Sequence, residues 1–326
     1  ASDTDWFDET TRTGVIQNYN VAVSNGNAKG SSYFSLGYYK NLGIIKTSDF
    51  ERYSARMNSD YKLIGDVLTV GENFTLNRTS EVQAPGGFLQ NVLQFNPSLP
   101  VYTTDGSYAG PVGGYPDREN PVARLNRNRD NRYTYWRMFG DAWVNLKLFK
   151  GFNIRSTFGL DYSQKQQRIF TYPVTEGNVA NSTNAVEAKQ EHWTKWMWNA
   201  VATYNLVAGK NRFDVMAGIE LNREDDVNFS GKKEDFIILQ PDYMWPDAAT
   251  GSAQAFGSGG GYSLVSFFGK VNYNYDDRYM ASLTLRHDGS SRFGKNNRFA
   301  TFPSLSLGWR INHEYFLKDA SWIDDL

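Results

Sequence analysis

The chain has 326 residues, no cysteine, and a formal charge of −1 from 34 basic and 35 acidic side chains. Without thiols there is no disulfide framework and no thiolate metal site, and a balanced charge gives no global field to attract nucleic acid. A mean hydropathy of −0.56 without an apolar run of about 18 residues excludes a membrane-spanning helix. It does not exclude a barrel, in which only alternate residues of each strand face lipid.

From the N-terminus, the first residues are acidic (Asp3, Asp5, Asp8, Glu9) and carry no signal peptide, as expected of a start inside a longer polypeptide. Eleven candidate strands follow, centred near Val21, Leu36, Arg56, Asn73, Asp141, Phe158, Ala200, Ala217, Gly269, Leu283 and Leu307. Strand four is irregular, because Glu72 falls among Leu68, Val70, Phe74 and Leu76; an interface position or a nearby bulge would accommodate it. The fifth strand has the clearest pattern, with Trp136, Met138, Ala142, Val144, Leu146 and Leu148 on one parity and Arg137, Asp141, Asn145 and Lys147 on the other. Side chains alternate across a strand, so this pattern specifies one apolar and one polar face. Phe139 and Trp143 are exceptions on the polar parity.

The sixth strand sets Phe152, Ile154, Phe158 and Leu160 against Arg155 and Asp161; the eighth sets Phe213, Val215, Ala217 and Ile219 against Asp214 and Glu220. These runs read as about 10 to 15 residues, against roughly 5 to 6 in ordinary soluble strands. Short connections (26–30, 64–66, at Lys150, 208–211, 276–278) alternate with long ones (41–50, 79–132, 167–189, 225–261, 289–301). Long and short connections in alternation are the topology of an up-and-down outer-membrane barrel, with tight periplasmic turns and long extracellular loops. Parity tests this reading: the hairpins at Lys150 and Asp276 require odd loops and the one near Gly209 an even loop. Aromatics gather at strand ends (Tyr133, Tyr135, Trp136, Trp193, Trp196, Trp198), as interfacial girdles would place them.

The stretch RHDGSSRFGKNNRFATFPSLSLGWRI, residues 286–311, resembles the hallmark barrel region of SusC/RagA-type TonB-dependent transporters of the Bacteroidetes. TDWFDETTRTGVIQNYNVAVSNGN (4–27), YFSLGYYKNLGIIKTSDFERYSARMNSDYKL (33–63), NPSLPVYTTDGSY and ENPVARL resemble the same family, so that nearly the whole chain is covered. The resemblance implies an all-β transmembrane antiparallel barrel of about 22 strands, of which residues 1–326 supply about half. It further implies a plug domain and a TonB-engaging segment outside this sequence, with more strands after the closing EYFLKDASWIDDL. Unpaired edges in lipid cost several kcal/mol per group, which also leads us to expect flanking sequence.

By resemblance, the function is TonB-dependent import of oligomeric nutrients, glycans or peptides, beneath a SusD-like surface lipoprotein. Partners would be that lipoprotein, the TonB complex through segments not in this sequence, and outer-membrane lipid, with no nucleic acid. On the inferred inner parity lie Arg137, Asp141, Lys147, Arg155, Asp161, Lys195, Asp214, Glu220, Lys270 and Arg286. They are candidates to line the lumen and meet a plug or substrate, and the same pattern describes a mutually compensated, hydrated wall. In the long loops Tyr102, Tyr108, Tyr115, Tyr243 and Trp245 are candidates to stack on sugars or clamp a peptide.

Residues 88–96 read as a short amphipathic turn, Gly257–Gly261 as a hinge at a loop base, and Arg124, Arg127, Arg129 and Arg132 as a solvated or partner-facing loop. No enzyme is expected: His192, His287 and His313 lack metal-ligand spacing, and His287, Asp288 and Ser290 are sequence neighbours rather than a triad geometry. No cofactor is expected; calcium at the loop pairs Asp225–Asp226 or Glu234–Asp235 lacks the spacing of an EF-hand. A passive porin and a surface adhesin or glycan-binding sheet are the alternative functions. Upstream plug sequence would separate the first from an importer, and detergent dependence would separate the second.

Overall fold

The computed structural model describes residues 2–317; the close of the sequence from residue 318 lies outside the described residues. Eleven antiparallel strands form one continuous sheet in which each pairs with its sequence neighbours: β1 (Val15–Asn27), β2 (Gly30–Leu42), β3 (Asp49–Ile64), β4 (Leu68–Val82), β5 (Arg132–Phe149), β6 (Phe152–Thr171), β9 (Ala185–Ala208), β10 (Asn211–Glu234), β11 (Gln254–Tyr275), β12 (Tyr279–Ser290) and β13 (Phe299–Trp309). The remaining two strands, β7 (Val174–Glu176) and β8 (Val179–Asn181), form a small hairpin within the β6–β9 loop. Among the described residues β1 and β13 are the sheet's two edges, so this is an incomplete barrel wall.

Register fixes the faces. Val21, Leu36, Ala55, Leu76, Met138 and Tyr162 follow one another across β1 to β6 with one partner step at each strand. On β9 to β13, Tyr204, Val215, Val271, Leu283 and Leu305 do the same. These rows are the apolar outer face, and many of their side chains stand in the open, Leu305 at 67% and Val21 at 75% exposure. Large apolar residues left exposed on one whole face of a sheet demand an apolar solvent. Among the described residues no helix is long and apolar enough to cross a membrane.

The turns meet the parity requirement by two devices. At Asp276, three residues separate the paired Tyr275 and Tyr279, with Asp276 and Asp277 at positive φ. Near Gly209, two residues separate Ala208 and Asn211. At Lys150 the loop itself is two residues, Phe149 pairing with Phe152, and a register shift between Lys147 and Phe149 supplies the odd residue as a bulge. Gly151 takes the left-handed conformation there (φ 83°). A second shift lies between Lys62 and Ile64. Glu72 is not beside it. Its carboxylate accepts a hydrogen bond from Ser59 Oγ on β3, and the row Asn25, Ser32, Ser59, Glu72 is polar across four strands near their short-turn ends.

The strands are longer than the alternation indicated. β9 and β10 each have 24 residues, and the long connections shrink to 43–48, 83–131, 172–184, 235–253 and 291–298. Pairing of backbone groups continues past the end of the apolar pattern because water-facing strand ends satisfy each other as well as lipid-facing ones do. The Gly257–Gly261 run is accordingly strand, not hinge, with Gly257, Gly259 and Gly261 paired to Phe229, Val227 and Asp225. A side chain at Gly261 would come within 2.6 Å of Asp225 Oδ1 and 2.7 Å of the Glu224 carbonyl, so close approach of the neighbouring strand explains the glycine.

Candidate functional site

The inner face carries the charged residues, and register places Arg137, Asp141, Arg155, Asp161, Lys195, Glu220, Lys270 and Arg286, with Lys147 and Asp214, on one side of the sheet. Arg137 donates through Nε and Nη2 to the two oxygens of Asp161 (2.9 and 2.6 Å), a bidentate pair. Asp141 accepts from Asn73 Nδ2 at 3.2 Å, Glu220 from Asn222 Nδ2 at 2.8 Å, and Lys195 stands 4.0 Å from Glu224. Arg286 donates to Asp288 and to Ser266 Oγ, each at 2.8 Å. Lys270 makes no ion pair among the described residues.

Two aromatics on this face, Trp143 and Phe268, stand over glycines. Trp143 stands over Gly71, where a Cβ would meet its indole at 2.5 Å, and the Arg155 guanidinium stacks on it 4.1 Å from the ring centroid. Phe268 covers Gly218 in the same way, with Arg286 at 5.6 Å, and Phe139 lies under Arg137 at 4.9 Å. A cation on a ring keeps an aromatic compatible with a wet wall.

The 83–131 connection is folded rather than loose. It contains α2 (Phe88–Gln94) and α3 (Pro121–Asn128), which pack with α1 (Trp6–Thr10) around a core of Trp6, Phe88, Val92, Phe95, Leu99 and Leu125. Asn120 caps α3: its Oδ1 accepts from the amides of Val122 and Ala123, while its Nδ2 donates to the carbonyls of Val101 (3.0 Å) and Ala109 (2.8 Å). The Asn-Pro pair opening α3 is a helix-start signal, and the sequence reading passed over it. Glu176, 1% exposed on the β7–β8 hairpin, accepts from the Asn120 amide (2.6 Å) and pairs with Arg127, which also holds Glu119 at 2.6 Å.

Of the four arginines only Arg127 is drawn into the fold; Arg129 and Arg132 stay exposed, as the solvated-loop reading has them. Arg124 donates to the Gly86 carbonyl (2.6 Å), Arg129 approaches Asp130 (3.6 Å) and Arg132 pairs with Asp49 (2.7 Å), so each is engaged within the chain. At the loop tip, Asp105 accepts from Thr103 and Ser107, and these bonds pull its carboxyl well below the usual range, to about 2.

The five loop aromatics do not form one cluster. Tyr102 and Tyr108 stack on each other (centroids 5.2 Å apart), and Asn126 donates to the Tyr108 hydroxyl. Tyr115 packs against the α1–α3 core, its hydroxyl 3.0 Å from Ser98 Oγ. Tyr243 and Trp245 belong to the 235–253 loop, which closes over Phe170, Val186, Met244, Phe236 and Ala249. Trp245 lies on the Arg168 guanidinium (4.1 Å); Arg168 shares the parity of Phe158 and Leu160, so this indole stands on the outward side of the wall, away from the inner residues.

Asp225 and Asp226 lie within β10 and project to opposite faces, Asp225 held by Arg223 (2.7 Å). Among the described residues no group of three or more metal-ligating side chains is assembled. His287 stacks on Phe299 and bonds Thr301 on the outer face, whereas its neighbour Asp288 pairs with Arg286 on the inner one.

No protein-family model matches the chain. Curated relatives do. The chain is 31% identical over 351 residues to the TonB-dependent receptor SusC of Bacteroides thetaiotaomicron, which covers all of this chain and 34% of the receptor. It is 29% identical over 336 residues to the TonB-dependent receptor P3 of Formosa agariphila, covering 99% of the chain and 33% of that protein. Among solved structures, the RagAB peptide transporter superposes with a TM-score of 0.81 at 19% identity, over 99% of this chain and 37% of that one. The ferric citrate transporter FecA matches at 0.51 and 8%, over 91% and 39%. The chain is of the SusC/RagA type.

The SusC/RagA-type chain spans about a third of the length of the curated relatives it matches. TonB-dependent receptors are outer-membrane proteins, so the apolar face described above is the one against lipid. The similar proteins are receptors and transporters by name, and none is named for a catalytic activity.

Proposed function

We propose that this SusC/RagA-type chain is part of the wall of a TonB-dependent importer of oligomeric nutrients, peptides or glycans, working with a SusD-like surface lipoprotein. Residues 1–326 would contribute eleven of its strands, with the plug and TonB-contact segments supplied by sequence outside this chain. The observation that carries the reading is its continuity: SusC matches along the whole chain, and the RagAB peptide transporter superposes on 99% of it. A polar inner wall of ion pairs and stacked arginines supports passage of a hydrated cargo. Tyr102 and Tyr108 are the loop aromatics best placed to meet cargo, since Tyr115 is engaged in a core and Trp245 faces outward.

Mass spectrometry of the complex purified intact in detergent from the outer membrane tests this. The expected result is a polypeptide roughly three times as long as this chain, as the 34% coverage of SusC indicates, with a lipoprotein bound. A stable 37.0 kDa species with no partner would overturn it.

A further inference from the structure

On the outer face, two adjacent register rows differ in kind. Val21, Leu36, Ala55 and Leu76 form an apolar row across β1 to β4. Two residues nearer the long loops, Tyr19, Tyr38, Tyr53, Arg78 and Trp136 form a row of rings and one guanidinium across β1 to β5. The small side chain of Ala55 leaves a dip between the rows, a groove of about 450 Å³ lined by these residues. Its ring wall is close-set, with Tyr38 and Tyr53 centroids 5.0 Å apart and Tyr19 and Tyr38 6.3 Å apart.

Of the cations around this groove, Arg78 is the one that lines it. Arg78 lies over the Trp136 ring at 5.8 Å and makes no ion pair among the described residues. Glu51, one row further toward the loops, accepts from the hydroxyls of Tyr38 (2.8 Å) and Tyr53 (3.1 Å). Lys40, across from Glu51 on β2, also makes no ion pair among the described residues. Arg78 is 10 residues beyond the start of β4 at Leu68, and strand tilt makes that a rise of about 25 Å, the height of the apolar band. The arginine thus stands at the headgroup level of the outer leaflet, with the apolar row below it at the level of acyl chains.

We propose that this groove binds a phosphate-bearing lipid of the outer leaflet. One acyl chain lies along Val21, Leu36, Ala55 and Leu76, and the phosphate meets Arg78 beside the tyrosine hydroxyls and Trp136. A membrane phosphate supplies the anion that Arg78 lacks, and rings at the interface suit an amphiphile whose two ends differ.

Native mass spectrometry of the full-length receptor, released from detergent after incubation with a phosphorylated lipid A or its dephosphorylated counterpart, tests the proposal. The phosphorylated lipid should bind about tenfold more tightly than the dephosphorylated one, the difference expected for one charge-assisted bond. Arg78→Gln should abolish that preference, Arg78→Lys should retain most of it, and Ala55→Phe, which fills the dip, should weaken both lipids. Folding of each variant is checked by its slower or faster gel migration before and after heating. Equal binding of the two lipids by the wild-type receptor would overturn the proposal. So would displacement by millimolar inorganic phosphate, which would make this a simple anion site, or a receptor dimer that Ala55→Phe dissociates, which would make a second copy the occupant.

Discussion

Two long connections stand above the same wall, each with an apolar core, and differ in how they are tied to their neighbours. The 83–131 segment is fastened to the β7–β8 hairpin by buried polar groups: Asn120, 0% exposed, and Glu176, 1% exposed, with Arg127 between Glu176 and Glu119. The 235–253 segment is fastened by Met244 and Val186, both 0% exposed, with Phe236 and Phe170. The 83–131 segment is also tied to the top of β6 and the connection that follows it, Asn131 Oδ1 accepting from the Phe170 amide and Tyr172 Oη donating to Asp130. A polar fastening specifies one register of the two loops, because each donor and acceptor needs its own partner; an apolar one holds firmly and tolerates repacking.

The largest effect is expected from Arg127→Ala, which leaves the Glu176 carboxylate buried without its cation. Loss of about 3 to 5 kcal/mol locally should free both 83–131 and the β7–β8 hairpin, read as faster amide exchange in both at once. If only one of them loosens, the polar fastening is not shared. Met244→Ala should cost about 2 to 5 kcal/mol and loosen 235–253, while exchange in 83–131 stays unchanged; coupled loosening would erase the distinction between the two.

Beneath both, Val144→Arg on the lipid side of β5 should cost about 2 to 4 kcal/mol at mid-depth and lower the yield of inserted receptor, whereas Asn145→Arg on the inner side should be tolerated. Equal yields would reverse the assignment of the faces. The smallest effect is acidic. The folded pKa of Asp105, about 2, lies below its ordinary 3.8. Its contribution is therefore complete above the ordinary value and lost as pH falls toward the folded one. Exchange at residues 103–107 should accelerate between about pH 4 and 2, with 235–253, closed by apolar groups, unaffected over that window.

The wall was legible because lipid imposes a period of two that no local feature contradicts for long: every expected strand centre falls inside a strand of the sheet. Trp143 was not explicable from its own strand, because the glycine that makes room for it, Gly71, comes from the neighbouring strand far back in the sequence. The loop fastenings were hidden for a similar reason. Glu176 is one acidic residue among many until the hairpin carries it to Arg127, and nothing local distinguishes Arg127, which is drawn in, from Arg129, which stays exposed. Asn120-Pro121 was the local clue that could have been used, since it announces a helix within what otherwise passes for a long loop.

The strands that rise from short turns of similar depth differ in length: 13 residues in β1 and β2, 24 in β9 and β10. At about 3.3 Å per residue and a tilt of about 40°, that is a difference in height of roughly 25 to 30 Å. The rim of this wall is therefore peaked rather than level. Among the described strands the rim is highest at β9 and β10 and falls away on both sides, to β1 and β2 on one and to β12 and β13, with 12 and 11 residues, on the other.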